Sequence, residues 1–189
     1  MKKALLAITS FAMILGLSSF IGTKGKKDTV NYTLNADKSR IDWIASKKGD
    51  FHTGNFPVKS GSITTEDGKI KAGKFVIDLA NLKVTDAGGG DRLTGHLKSP
   101  EFFDVAKSPE ATFEIATVNY TSANTADVTG NLNIKGTNVP VKFTVNVRGV
   151  DEKGFFAQAF LSVDRNLLGI KFNGPSNDVQ LAIHIFGTK

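Results

Sequence analysis

The chain has 189 residues, a formal net charge of +6, 40% hydrophobic residues and no cysteine. Without cysteine there is no disulfide framework, no thiol catalysis and no lipid-modified N-terminal cysteine. The basic residues are spread along the chain instead of forming a stripe, which speaks against a nucleic-acid partner.

Met1, Lys2 and Lys3 precede ALLAITSFAMILGL (4 to 17), an uncharged run of 14 residues. A spanning helix needs about 20 apolar residues, so residues 1–22 read as a secretory signal peptide. No A-x-A site is present, and an uncleaved anchor is the other reading. The small residues Gly16, Ser18, Ser19 and Gly22 permit cleavage between Ser18 and Thr23. The expected location is the periplasm, with no stable membrane span after cleavage. Loss of Lys2 and Lys3 lowers the charge from +6 to +4, since no acid precedes Asp28. Residues 23–29 form a short linker carrying Lys24, Lys26 and Lys27, and 30–189 form one domain with a sizeable core.

Within that domain the apolar residues alternate with period two. RIDWIAS (40 to 46) sets Ile41, Trp43 and Ala45 on one side, GSITT (61 to 65) adds a short strand, and KFVIDLANL (74 to 82) aligns Phe75, Ile77 and Leu79. The longest interruption, residues 85–110, contains a short helical segment near 91–104, in which DRLTGHL forms one turn or two before Pro100. ATFEIATV (111 to 118) then aligns Phe113 and Ile115, GNLNI (130 to 134) Leu132 and Ile134, and VKFTVNV (141 to 147) Val141, Phe143, Val145 and Val147. GFFAQAFLSVDRNLLGIKF (154 to 172) places Phe155, Ala157, Ala159, Leu161 and Val163 on one face and Phe156, Gln158, Phe160, Ser162 and Asp164 on the other. VQLAIHI (179 to 185) closes the series with Val179, Leu181, Ile183 and Ile185.

EDGK (66 to 69), KGTN (135 to 138) and DEKG (151 to 154) supply hairpin turn residues between these runs. About eight or nine strands joined this way make an all-β antiparallel sheet, which must close into a barrel or fold over as a sandwich. Phe supplies 14 of the aromatic residues, with only Tyr32, Tyr120 and Trp43 offering a polar edge. That set suits a dry interior, whether a filled core or an apolar cavity.

Catalytic readings find little support. His52, His96 and His184 stand far apart and outside any zinc spacing, with His184 on the polar side of its strand. Gly88 to Gly90 lack the Lys-Ser/Thr of a phosphate loop, and there is no G-x-S-x-G elbow. The expectation is a non-enzyme with no metal and no cofactor, whose stability a chelator leaves unchanged. A hydrolase using scattered carboxylates is the third reading.

DRLTGHLKSPEFFDVAKSPEATFEI (91 to 115) resembles the signature Arg-Asp-x-x-Leu-x-Ser-x-x-Phe-Phe-Asp, then Pro-x-x-x-Phe, of the YceI-like polyisoprenoid-binding proteins. GNLNIKGTNVPVKF (130 to 143) is similar to their Gly-x-Leu-x-Ile-Lys-Gly hairpin, and VDRNLLGIKF (163 to 172) to their Ile-x-Arg-x-x-Phe-Gly-Ile strand end. Asp91 and Arg92 stand in reversed order, and Leu168 replaces the usual Phe before Gly169. The resemblance implies an extended, lipocalin-like antiparallel β-barrel whose interior holds an isoprenoid lipid, such as a quinone tail or polyprenol.

On that implication the lipid-binding wall comprises Trp43, Phe75, Ile77, Leu79, Phe113, Ile115, Leu132, Ile134, Phe143, Val145, Phe155, Ala157, Ala159, Leu161, Val163, Arg165, Leu168 and Ile183. Ala157 and Ala159, with Gly130, are small where a chain would need room. Arg165 falls on the inward parity at a strand end, where it either meets the ligand head group or pairs with Asp91 or Asp104. Phe156 and Phe160 point outward and suggest a homodimer surface. The competing reading is a β-sandwich interaction module with a solid core at the cell surface.

Overall fold

The structure, a computed structural model, describes residues 27–151 and 153–189. The expected signal peptide (1–22) and the first part of the linker lie outside the described residues. In chain order the elements are β1 (Thr29–Leu34), β2 (Arg40–Lys47), β3 (Asp50–Glu66), β4 (Lys69–Asp78), β5 (Lys83–Val84), α1 (Gly90–Lys98), β6 (Glu110–Tyr120), β7 (Thr125–Ile134), β8 (Thr137–Asp151), β9 (Gly154–Asp164) and β10 (Pro175–Thr188).

Neighbouring strands run β10-β2-β3-β4-β6-β7-β8-β9, and β9 pairs back onto β10 from Phe155↔Gly187 to Asp164↔Asp178. Eight antiparallel strands therefore close a barrel, and closure removes the open edges a sandwich would keep. β1 continues the line of β2: it pairs with the second half of β3 and with Gly187 and Thr188 of β10. β5 adds two residues against Gly54 and Asn55.

Local sequence explains the turns. Asp67 and Gly68 take φ of 51° and 74°, and Lys135 and Gly136 take 51° and 75°. Paired positive φ values are what two-residue hairpins with right-handed twist require. In the third hairpin, Asp151 accepts from the backbone N–H groups of Lys153 and Gly154.

Three elements differ from the sequence reading. The strand read at 61–65 extends over the whole of Asp50–Glu66. The strand read to residue 82 ends at Asp78, where its carboxylate accepts from Asn81 and the N–H groups of Leu79 and Ala80 turn to the Pro109 carbonyl. The helical segment stops at Lys98, ahead of Pro100, and residues 99–104 form tight turns that bury Phe102 and Phe103.

Candidate functional site

Phe75, Phe113, Leu132, Phe143, Leu161, Leu181 and Ile183 project into the barrel yet are only half-buried. They face open space. Two cavities of about 180 and 130 Å³ lie inside the barrel and share Ile41, Ile77, Leu132, Val163 and Leu181 on their walls. They form two lobes of one bore. From Phe155 in the second lobe to Val163 at the layer shared with the first, β9 covers eight residue steps, roughly 27 Å of strand and about 20 Å along a tilted barrel axis.

The lobes differ in their ends. The first lies beneath α1 and the 165–176 segment, and reaches the exposed residues Ser46, Lys47 and Ser176 beside His52. The second runs to Ile63, Ile70, Val128, Phe155 and Ile185, all buried, with Tyr32 packed on Phe155 behind them. The first lobe thus reaches polar residues at the surface, whereas the second runs to buried apolar ones.

All eighteen residues expected on the wall line this bore. Trp43, Leu79, Ile134, Arg165 and Leu168 line the first lobe, and Phe75, Phe113, Ile115, Phe143, Val145, Phe155, Ala157, Ala159, Leu161 and Ile183 the second, with Ile77, Leu132 and Val163 in both. Sequence parity missed the roof of the first lobe, formed by Leu93, Leu97, Phe102 and Phe103. Those residues lie in a helix and turns, where period two carries no information.

Three finer expectations are corrected. Arg165 pairs with neither Asp91 nor Asp104. Its Nε donates to the Ser176 carbonyl at 3.1 Å, Nη1 to Ile170 at 2.8 Å, and Nη2 to Phe172 at 2.6 Å and Pro175 at 3.1 Å. The guanidinium thus staples the loop that walls the first lobe. Gly130 does not open the bore: a Cβ there would strike the Phe113 ring and lie 2.6 Å from the Glu114 carbonyl, so the glycine seats that ring. Phe156 is not a free outward ring, because it stacks on Phe186 with centroids 4.1 Å apart. Phe160 remains 63% exposed.

Beside the mouth, Asp86 Oδ1 lies 3.0 Å from His52 Nδ1, and its Oδ2 accepts from Thr53 N–H at 2.8 Å. The His52 hydrogen bond first, and the Thr53 N–H second, hold the Asp86 carboxyl at about 2. This pair ties the 85–89 loop to β3. His184, on the outer face, meets Gln158 and Asp42 and takes no part in the bore.

The profile of the YceI-like domain matches residues 32–186. The chain belongs to the YceI-like family. A UPF0312 protein of Pseudomonas putida (strain W619) is 32% identical over 187 residues, covering 93% of this chain and 95% of that protein. Among solved structures, BcnA of Burkholderia cenocepacia matches with TM-score 0.69 and 20% identity, over 82% of this chain and 99% of that one. A polyisoprenoid-binding domain from Saccharophagus degradans, implicated in plant cell wall breakdown, matches with TM-score 0.63 and 22% identity, over 83% and 97%. At those identities the likeness speaks for the fold. Within this YceI-like chain, Leu168 lies on the first-lobe wall, while Asp91 and Arg92 are exposed on α1. The departures from the family pattern therefore touch one wall position and the outer surface of the helix.

Proposed function

We propose that this YceI-like protein is a periplasmic binding or carrier protein for a long-chain isoprenoid lipid, a polyprenol or an isoprenoid quinone, with no covalent chemistry of its own. The observation that carries this reading is the apolar interior of the barrel, whose first lobe reaches exposed polar residues and whose second lobe runs to buried apolar ones. Burial of a chain is worth about 0.8 kcal/mol per methylene, so a bore of this length favours a slender, extended lipid over a compact one. Its polarity orients the ligand, with the tail in the second lobe and the head near His52, Lys47 and Ser176. The binding domain that resembles it in Saccharophagus degradans is described as polyisoprenoid-binding, which supports the same class of ligand.

The proposal includes export and a second copy. The intact mass of the native protein is expected to place the mature N-terminus between Ser18 and Lys24; a full-length species held in the inner membrane would overturn export. A homodimer is proposed through the outer face bearing Phe160. The binding proposal is tested by mass spectrometry of an organic extract of the natively purified protein. A prenyl lipid at near-stoichiometric amount is expected. An extract free of prenyl lipid, together with delipidated protein that takes up no added polyprenol, would refute it.

A further inference from the structure

The two lobes meet at one layer of the wall. The residues shared by both walls are Ile41 on β2, Ile77 on β4, Leu132 on β7, Val163 on β9 and Leu181 on β10. In the ring order the first four stand on alternate strands, so they meet from four sides of the eight-strand barrel. Inward side chains of alternate strands stack in layers in this way in closed barrels.

Three of the five are closely packed. Ile41, Ile77 and Val163 are 8%, 8% and 9% exposed, whereas Leu161 and Ile183, one inward step further along β9 and β10, are half-open to the second lobe. Leu132 and Leu181, the other two members of the layer, are half-buried.

We infer that this layer is a waist that sets ligand specificity by chain length and girth. The inference rests on the lipid-carrier reading. Isoprenyl chains too short to reach the waist occupy the first lobe alone; longer ones thread it and gain the second lobe. Because the waist is built from aliphatic side chains with rotamer freedom, a slender chain can displace them, but a rigid fused-ring lipid of similar mass cannot pass. Length selection thus resides in residues that touch neither the head group nor the tail end.

The test uses delipidated mature protein, graded prenols from geraniol through farnesol to solanesol, and native mass spectrometry with competition for affinity. In the wild type, affinity rises with chain length. Leu181→Trp and Leu132→Trp, made separately on two different strands, are expected to weaken solanesol by at least about tenfold more than farnesol, the transfer energy of only two methylenes. Leu132→Ala, which widens the layer, is expected to speed solanesol uptake several-fold relative to that of geraniol. If either Trp variant folds and binds solanesol as the wild type does, or loses geraniol and solanesol alike, the waist is overturned. Should neither Trp variant fold, Leu132→Ala decides: unchanged solanesol uptake overturns it. Wild-type protein that binds no prenol of any length refutes the carrier reading instead.

Discussion

Arg165 shows what a single residue does when its inward direction conflicts with its charge. The sequence places it correctly at the end of the inward face of β9, but the identity of its partners depends on a loop that folds back only in three dimensions. A buried guanidinium is tolerated because four carbonyls accept from it. A lysine presents one compact ammonium and cannot bridge four acceptors spread along residues 170–176. Arg165→Lys is therefore expected to cost about 2–4 kcal/mol in urea unfolding, with faster amide exchange over 166–175; a change under about 0.5 kcal/mol, the size of an ordinary surface substitution, would show the staple to be dispensable. Asp86 makes a prediction about pH. Folding lowers its pKa from 3.8 to about 2, chiefly through His52, so its stabilisation is present above 3.8 and is lost as pH falls through about 2. Asp86→Asn is expected to flatten the fall in urea midpoint across that window, and an unaltered slope would assign the acid sensitivity to other groups. The pairing of Asp86 with His52 spans 34 positions, and nothing in either local stretch announces it.

At the scale of the element, alternation was legible wherever a strand runs without interruption, as β9 does from Phe155 to Val163. It fails at bulges. In β3 the inward parity is Gly54, Phe56 and Val58 before the register shift at Val58/Ser60, and Ile63 and Thr65 after it. β6 shifts likewise between Ile115 and Thr117, passing from Phe113 and Ile115 to Val118 and Tyr120. One inserted residue flips every later side chain, so a single period-two pattern cannot describe a 17-residue strand, and only GSITT was visible in β3. Gly130 belongs to the same scale. Composition marks it as small, but its use as the seat of the Phe113 ring depends on the β6–β7 pairing that sets Gly130 against Ile115 and Leu132 against Phe113. Gly130→Ala should push that ring and the Glu114 carbonyl apart, costing about 1–3 kcal/mol. A variant as stable as wild type would mean that the ring has a second resting place.

For the whole molecule the decisive property is closure with incomplete filling. Strand count and turn chemistry indicated an antiparallel all-β fold, but they could not separate a filled core from a bore, because Phe and aliphatic residues suit both. Three-dimensional packing separates them: unfilled apolar volume costs about 24 cal/mol per Å³, or about 4 and 3 kcal/mol for the lobes of 180 and 130 Å³. A barrel that kept such space with no occupant would gain stability by filling it with larger side chains. Ala159 offers the direct test, since it is buried on the second-lobe wall between its cross-strand neighbours Val145 and Ile183. In a solid core an indole at this position would find no room. In the bore it occupies the lobe, so Ala159→Trp is expected to fold with a loss of about 1–3 kcal/mol from local overpacking and to retain no long-chain lipid. Phe160, one residue on and facing outward, provides the matched control. Phe160→Ser should keep the lipid and, if the outer face joins two copies, shift sedimentation toward the monomer. A folded Ala159→Trp protein that still co-purifies with a long isoprenoid would show that the chain lies elsewhere than the second lobe, and Phe160→Ser protein that loses its lipid would place the binding surface on the outside of the barrel.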